Sequence, residues 1–170
     1  MQQMHVYGVS FDLVGKQPIV LLKTMEGNRF LPIWIGHSEA AAILMKLQNA
    51  APPRPMTHDL VTDMLSQLDV SIVQVAVTEL RENTFFAQVT IRQDGSELEI
   101  DSRPSDAIAL AVRTDAPIFV ADDVIDENAI EFEHDEEVDS AELEKEVSRF
   151  RSFLENVTPE DFTGDAEDDV

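Results

Sequence analysis

The sequence predicts an α+β domain: a bent, largely antiparallel sheet with helices packed on one side, followed by a C-terminal amphipathic helix. Two observations point there. Strand-like segments come in groups joined by short turns, the way antiparallel strands are connected. Helical segments stand between those groups without the regular alternation of a parallel α/β sheet. The length, 170 residues, suffices for one core plus an appendage.

Residues 4–14, MHVYGVSFDLV, alternate as a strand does, with Val6, Gly8, Ser10 and Asp12 opposing Tyr7, Val9, Phe11 and Leu13. GKQP turns the chain into IVLLKT, and EGN turns it again into RFLPIWI. A first helix is expected over 36–50, with Gly36 breaking the strand, Ser38 as N-cap and Glu39 in the first turn. The prolines of APPRP (51–55) end it. A second helix is expected over 57–68, capped by Thr57, with Leu60, Val61, Met64, Leu65 and Leu68 on one apolar face.

Strands return at 70–80 and 84–93, joined through RENT, and Asp94–Gly95 is a strong hairpin signal leading into SELEID (96–101). A third helix follows from IDSRPSDAIALAV (100–112), ended by Pro117, and PIFVA makes a short strand. Val138–Val157 reads as an amphipathic helix. Asp139 with Glu142 resembles a capping box, and Val138 can staple onto Leu143. Leu143, Val147, Phe150, Leu154 and Val157 form a narrow apolar seam. The expected organisation is thus a domain over 1–135, an acidic helix over 136–157 and a disordered acidic tail over 158–170.

The absence of cysteine excludes disulfides, thiolate metal sites and a cysteine nucleophile. The first residues lack the basic region and apolar run of a signal peptide, and no segment has the ~20 apolar residues of a membrane span. A soluble, cytoplasmic protein without a membrane partner is expected. The net charge of −22 is uneven: about −5 over residues 1–120 and −17 over 121–170. The body therefore offers no broad basic surface to nucleic acid, so any phosphate contact must be local. The acidic C-terminal part suits a basic protein partner. A sheet edge and an apolar helix seam predict a homo-oligomer, a dimer by default.

Chemistry gathers at helix starts. In residues 100–112, Ser102 or Ser105 can cap the third helix, Pro104 is tolerated in its first turn, and Asp106 suits the positive end of its dipole. Ordinary capping explains much of this, but not Arg103. An arginine beside a helix N-terminus makes an anion site, or pairs with Asp101 or Asp106. Glu97, Glu99 and Asp101 share one strand face. Such a row can hold Mg²⁺ or Mn²⁺, although most such rows are solvated surface. His58 and Asp59 open the second helix, where a histidine can serve as general base or simply lie at a capped start. His37 and Glu39 flank the first helix start. No Walker A loop, GxGxxG, HExxH or GxSxG is present.

LPIWIGHSEAAAI, RPMTHDL and above all IDSRPSDAIALAVRTDAPIFV resemble the bifunctional nuclease domain family over about residues 4–135. The resemblance implies an α+β fold and cleavage of both RNA and DNA. Its motif residues fall on Glu39, His58, Asp59, Asp101, Ser102, Arg103 and Asp106. Chemistry then suggests roles. Asp101 and Asp106, with Glu39, would hold Mg²⁺ or Mn²⁺; His58, oriented by Asp59, would move a proton; Arg103 would stabilise the phosphate charge. The competing expectation is a non-enzymatic homo-oligomeric binding or regulatory module, in which these groups are caps and interface contacts.

Overall fold

The computed structural model describes residues 1–12 and 15–131, which belong to one compact unit, Met1–Asp135. The expected helix over 136–157 and acidic tail over 158–170 lie outside the described residues. The elements are β1 (Gln2–Asp12), β2 (Gln17–Thr24), β3 (Arg29–Trp34), α1 (His37–Leu47), α2 (Thr57–Gln67), β4 (Ser71–Arg81), β5 (Thr84–Gln93), β6 (Ser96–Ser102), α3 (Pro104–Thr114), β7 (Ile118–Val120), α4 (Asp122–Asn128) and β8 (Ile130–Glu131).

The fold is α+β. Two antiparallel meanders, β1-β2-β3 and β4-β5-β6, form one sheet in the order β6-β5-β4-β7-β1-β2-β3-β8. The short strand β7 joins them, running parallel to β4 and antiparallel to β1. It can do so because α3 carries the chain back across the sheet after β6. The hairpin turns obey local chemistry. Asp94 and Gly95 both have positive φ, 50° and 80°, as do Glu82 and Asn83 at 49° and 62°, the conformation that two-residue hairpins require.

Register assigns the two faces. Ala87, Val89 and Ile91 of β5 stand beside Val77, Val75 and Ile72 of β4, and the row continues through Ile118 and Val120 to Met4. Leu22 and Val20 then face Leu31 and Ile33. Except for Ile72, these side chains are buried, and α1 and α3 cover the face they form, α1 over β1 and β2, α3 over β4 and β5. The sheet brings β3 and β4, four places apart in its order, to one short helix, α4. This seven-residue helix packs against both β3 and β4.

Several local expectations are corrected. The N-cap of α1 is Gly36, not Ser38; that of α2 is Met56, not Thr57; and that of α3 is Arg103, with neither Ser102 nor Ser105 capping. In α2 the work is done by Asp59, whose carboxylate accepts the Met56 N–H at 2.8 Å. Ser102 Oγ instead donates to the Arg103 carbonyl. Helix α3 ends before Pro117: Asp115 takes the left-handed conformation at φ 55°, and the Ala116 N–H bonds the Ala111 carbonyl. Both α4 and β8 are too short to leave a periodicity in the sequence.

The apolar face expected on α2 exists but is only partly covered. Val61 and Leu65 are half-buried, while Leu60, Met64 and Leu68 stand 53–62% exposed. A similar patch lies on β6. Leu98 and Ile100 pair with buried Ile91 and Val89 on the helix-covered face, yet both are exposed, since α3 reaches only as far as β5. Among the described residues, no helix is long and apolar enough to cross a membrane.

A substitution in the covering helix α3 and one on the uncovered strand β6 should therefore behave differently. Ile108 is fully buried, and Ile108→Ala should cost about 2–5 kcal/mol in urea unfolding. Leu98→Ser should change stability by less than about 0.5 kcal/mol.

Candidate functional site

The three longer helices converge on a chain of charged side chains. Glu39 lies in the first turn of α1, His58 and Asp59 in that of α2, and Asp106 in that of α3, with Arg103 immediately before it. Each carboxylate sits where a helix dipole favours negative charge. Asp106 is the hub. One of its oxygens accepts from Arg103 Nε at 2.7 Å, and the other meets His58 Nε2 at 2.9 Å. Arg103 Nη2 donates onward to Glu39 Oε1 at 3.0 Å. Glu39, Arg103, Asp106 and His58 thus form one continuous array, drawn from positions as far apart in sequence as 39 and 106.

Room for this array comes partly from Gly36. Its φ is −74°, so any residue could adopt its backbone. A Cβ there, however, would collide with the Glu39 carboxylate. The glycine lets that side chain fold back over the helix start.

The electrostatics follow from the contacts. Burial pushes the Asp106 carboxyl up, but the hydrogen bonds and charges of Arg103 and His58 outweigh it and hold the group below the ordinary value. Asp106 in turn raises Arg103 through its hydrogen bond and charge. An ionised carboxylate accepts only, so His58 Nε2 must carry the proton that Asp106 accepts. In the neutral ring the lone pair then lies on Nδ1. The group orienting His58 is Asp106, not its neighbour Asp59.

Asp59 belongs to a second assembly, built on a buried arginine. Arg113 of α3 is 6% exposed. Its Nε donates to Asp59 at 2.6 Å, its Nη1 to the Ala109 carbonyl at 2.9 Å and its Nη2 to the Ala42 carbonyl at 3.1 Å. One guanidinium therefore ties α1, α2 and α3 together. Burial again raises Asp59, and the Met56 N–H and Arg113 overcome it, leaving the group below its usual value. The signal for Arg113 in the sequence is a single cation in an otherwise apolar helix, and it went unread.

Asp101 is not brought to the array. It is exposed on β6 opposite Gln88, and strand alternation turns it to the sheet face away from α3. Its neighbour Glu97 is taken by Arg92 at 2.5 Å. Among the described residues no three His, Asp or Glu gather as metal ligands, and the space between Glu39 and Asp106 holds the Arg103 guanidinium. The two carboxylates are nonetheless hard oxygen donors of the kind Mg²⁺ and Mn²⁺ accept, and Mg²⁺ commonly binds one or two carboxylates together with substrate phosphates.

Arg103 also opens to the outside. Its side chain is 66% exposed, and the two contacts above use two of its five N–H groups. It lines a cleft of about 960 Å³ together with Ser105, residues of β3 and the β4–β5 hairpin.

The bifunctional nuclease domain model matches residues 20–133, which contain the entire array. The chain belongs to this family. An uncharacterized protein of Mycobacterium tuberculosis (strain ATCC 25618 / H37Rv) is 40% identical over 164 residues, 95% of this chain and 98% of that protein. Bifunctional nuclease 1 of Arabidopsis thaliana is 31% identical over 107 residues, 61% of this chain and 33% of the plant protein. Bifunctional nuclease 1 of Oryza sativa subsp. japonica is 30% identical over 105 residues, 59% and 32% respectively. The chain thus spans about a third of the plant relatives' length.

The buried Arg113 makes its partner Asp59 sensitive to substitution. Asp59→Ala leaves Arg113 with its two carbonyls but no counter-charge, and should cost about 3 kcal/mol in denaturant unfolding. The folded-state values of Asp59 and Asp106 lie below the unfolded ones. Both therefore add stability above about pH 4 that is lost as pH falls through the lower folded values. In acid titration of stability, Asp59→Asn should flatten that fall.

Proposed function

We propose that this domain is a nuclease that hydrolyses RNA and DNA phosphodiester bonds at the Glu39–Arg103–Asp106–His58 array. One observation carries the reading. A half-buried histidine with its tautomer set by an ionised carboxylate stands two contacts from an exposed guanidinium, and that guanidinium has unused donors and lines an open cleft. Phosphodiester hydrolysis needs a group that moves a proton and a cation that meets the charge building on phosphorus. His58 Nδ1 fits the first need and Arg103 the second. Asp106 positions both. Asp59 supports the array from behind through Arg113. The names of the plant relatives agree with a nuclease.

Mg²⁺ or Mn²⁺ would be held by Glu39 and Asp106 and would polarise a phosphoryl oxygen. Asp101, on the opposite sheet face, and Ser102, turned to its own backbone, are left out of this reading.

A second reading has its own observation. The uncovered apolar surface of Leu60, Met64 and Leu68, with Leu98 and Ile100 on β6, suits a homo-oligomer contact, and a dimer or larger assembly is compatible with catalysis. A cytoplasmic setting and a basic partner for the acidic C-terminal part complete the proposal.

The test is cleavage of labelled single-stranded RNA and DNA by rigorously purified protein in Mg²⁺, Mn²⁺ or EDTA. His58→Ala and Asp106→Asn should lower the rate at least about 100-fold while both proteins remain folded by circular dichroism. Equal residual cleavage by wild type and both variants would mean contamination and sink the nuclease reading. Loss in EDTA alone would assign the metal.

A further inference from the structure

We propose that the cleft beside Arg103 receives a single nucleic-acid strand, with one base stacked on the indole of Trp34 while an adjoining phosphate meets Arg103. The inference rests on the nuclease reading and adds to it the strand state of the substrate and a specificity residue, Trp34.

Trp34 ends β3 and is 51% exposed, an unusual position for the residue that buries the most apolar area. It lines the same cleft as Arg103, with Phe85 and Ile130 on the surrounding wall. The cleft, about 960 Å³, is at the upper end of the ~300–1,000 Å³ of ligand sites. Ser105, a residue only 7% exposed, also lines it. An aromatic platform, a cation and a hydroxyl are the three kinds of group that hold an unpaired nucleotide by base, phosphate and sugar.

Charge narrows the choice further. The chain is acidic overall, and Glu127 lines the same cleft. A broad electrostatic grip on duplex backbone is absent from this surface, so affinity must come from short-range contacts. Base stacking is such a contact, and it needs a base whose face is free. A base inside a duplex has both faces covered.

The sequence contains one tryptophan, so intrinsic fluorescence reports Trp34 alone. The probes are an oligothymidylate of about eight residues, within the ~4–16 nucleotides of comparable strand sites, a hairpin duplex of similar length, and an abasic sugar–phosphate oligomer. They are titrated in EDTA at low salt. The oligothymidylate should quench the emission saturably, and the other two should not. Trp34→Leu should weaken binding of the fluorescein-labelled strand about 5- to 150-fold by anisotropy, and Trp34→Phe should recover much of it.

Quenching that the abasic oligomer reproduces, no quenching at all, or undiminished binding by folded Trp34→Leu would each overturn the proposal. Its failure is separable from that of the nuclease reading. Cleavage that depends on His58 but not on Trp34 retains the enzyme and removes the stacking site. Stacking without cleavage by any preparation does the reverse.

Discussion

The buried guanidinium of Arg113 is the constraint on which the rest of the site depends. A charge at 6% exposure is tolerated only where its donors are matched, and here the matches come from three helices. The Ala42 carbonyl fixes α1, the Ala109 carbonyl fixes the arginine's own helix, and Asp59 fixes the start of α2. With those placed, His58, one residue before Asp59, has little choice but to lie against Asp106. Glu39, three residues before Ala42, comes within reach of Arg103. The Glu39–Arg103–Asp106–His58 array inherits its geometry from the buried arginine behind it, and this support holds its side chains in place.

The two arginines of α3 and its start illustrate how position sets purpose. Arg113 spends its donors on protein atoms inside the helix junction. Arg103 keeps more than half of its donors, at the surface, beside a cleft. The same residue type is structural in one place and available for substrate in the other, and only tertiary environment distinguishes them.

Much of the fold was legible because it rests on local rules. Alternation marked β1, short turns marked the strands after it, Asp94–Gly95 marked a hairpin, and three prolines marked the end of α1. What failed were details in which side chains compete. Ser38, Thr57 and Ser105 all look like caps, yet the backbone begins each helix one or two residues earlier, and in α2 a carboxylate inside the first turn does the capping. The site was legible as a set of helix starts, and Glu39, His58, Arg103 and Asp106 do converge. Asp101 did not join them because strand alternation, a rule visible in the sequence, turns it to the other face. In the sequence Trp34 is one more apolar strand residue, since nothing local says that its position is left open.

The acidic row on β6 has a consequence for how copies of this protein meet. As the first strand of the sheet, β6 presents backbone groups that another strand could join. Any ninth strand would also have to lie alongside Glu99 and Asp101, whose charges no described side chain offsets. At neutral pH that repulsion guards the open margin against fibril-like growth. Acid removes it by neutralising the carboxylates, while Leu98 and Ile100 on the reverse of the same strand remain sticky. Low-pH storage is therefore the condition under which the folded domain is most exposed to ordered self-association.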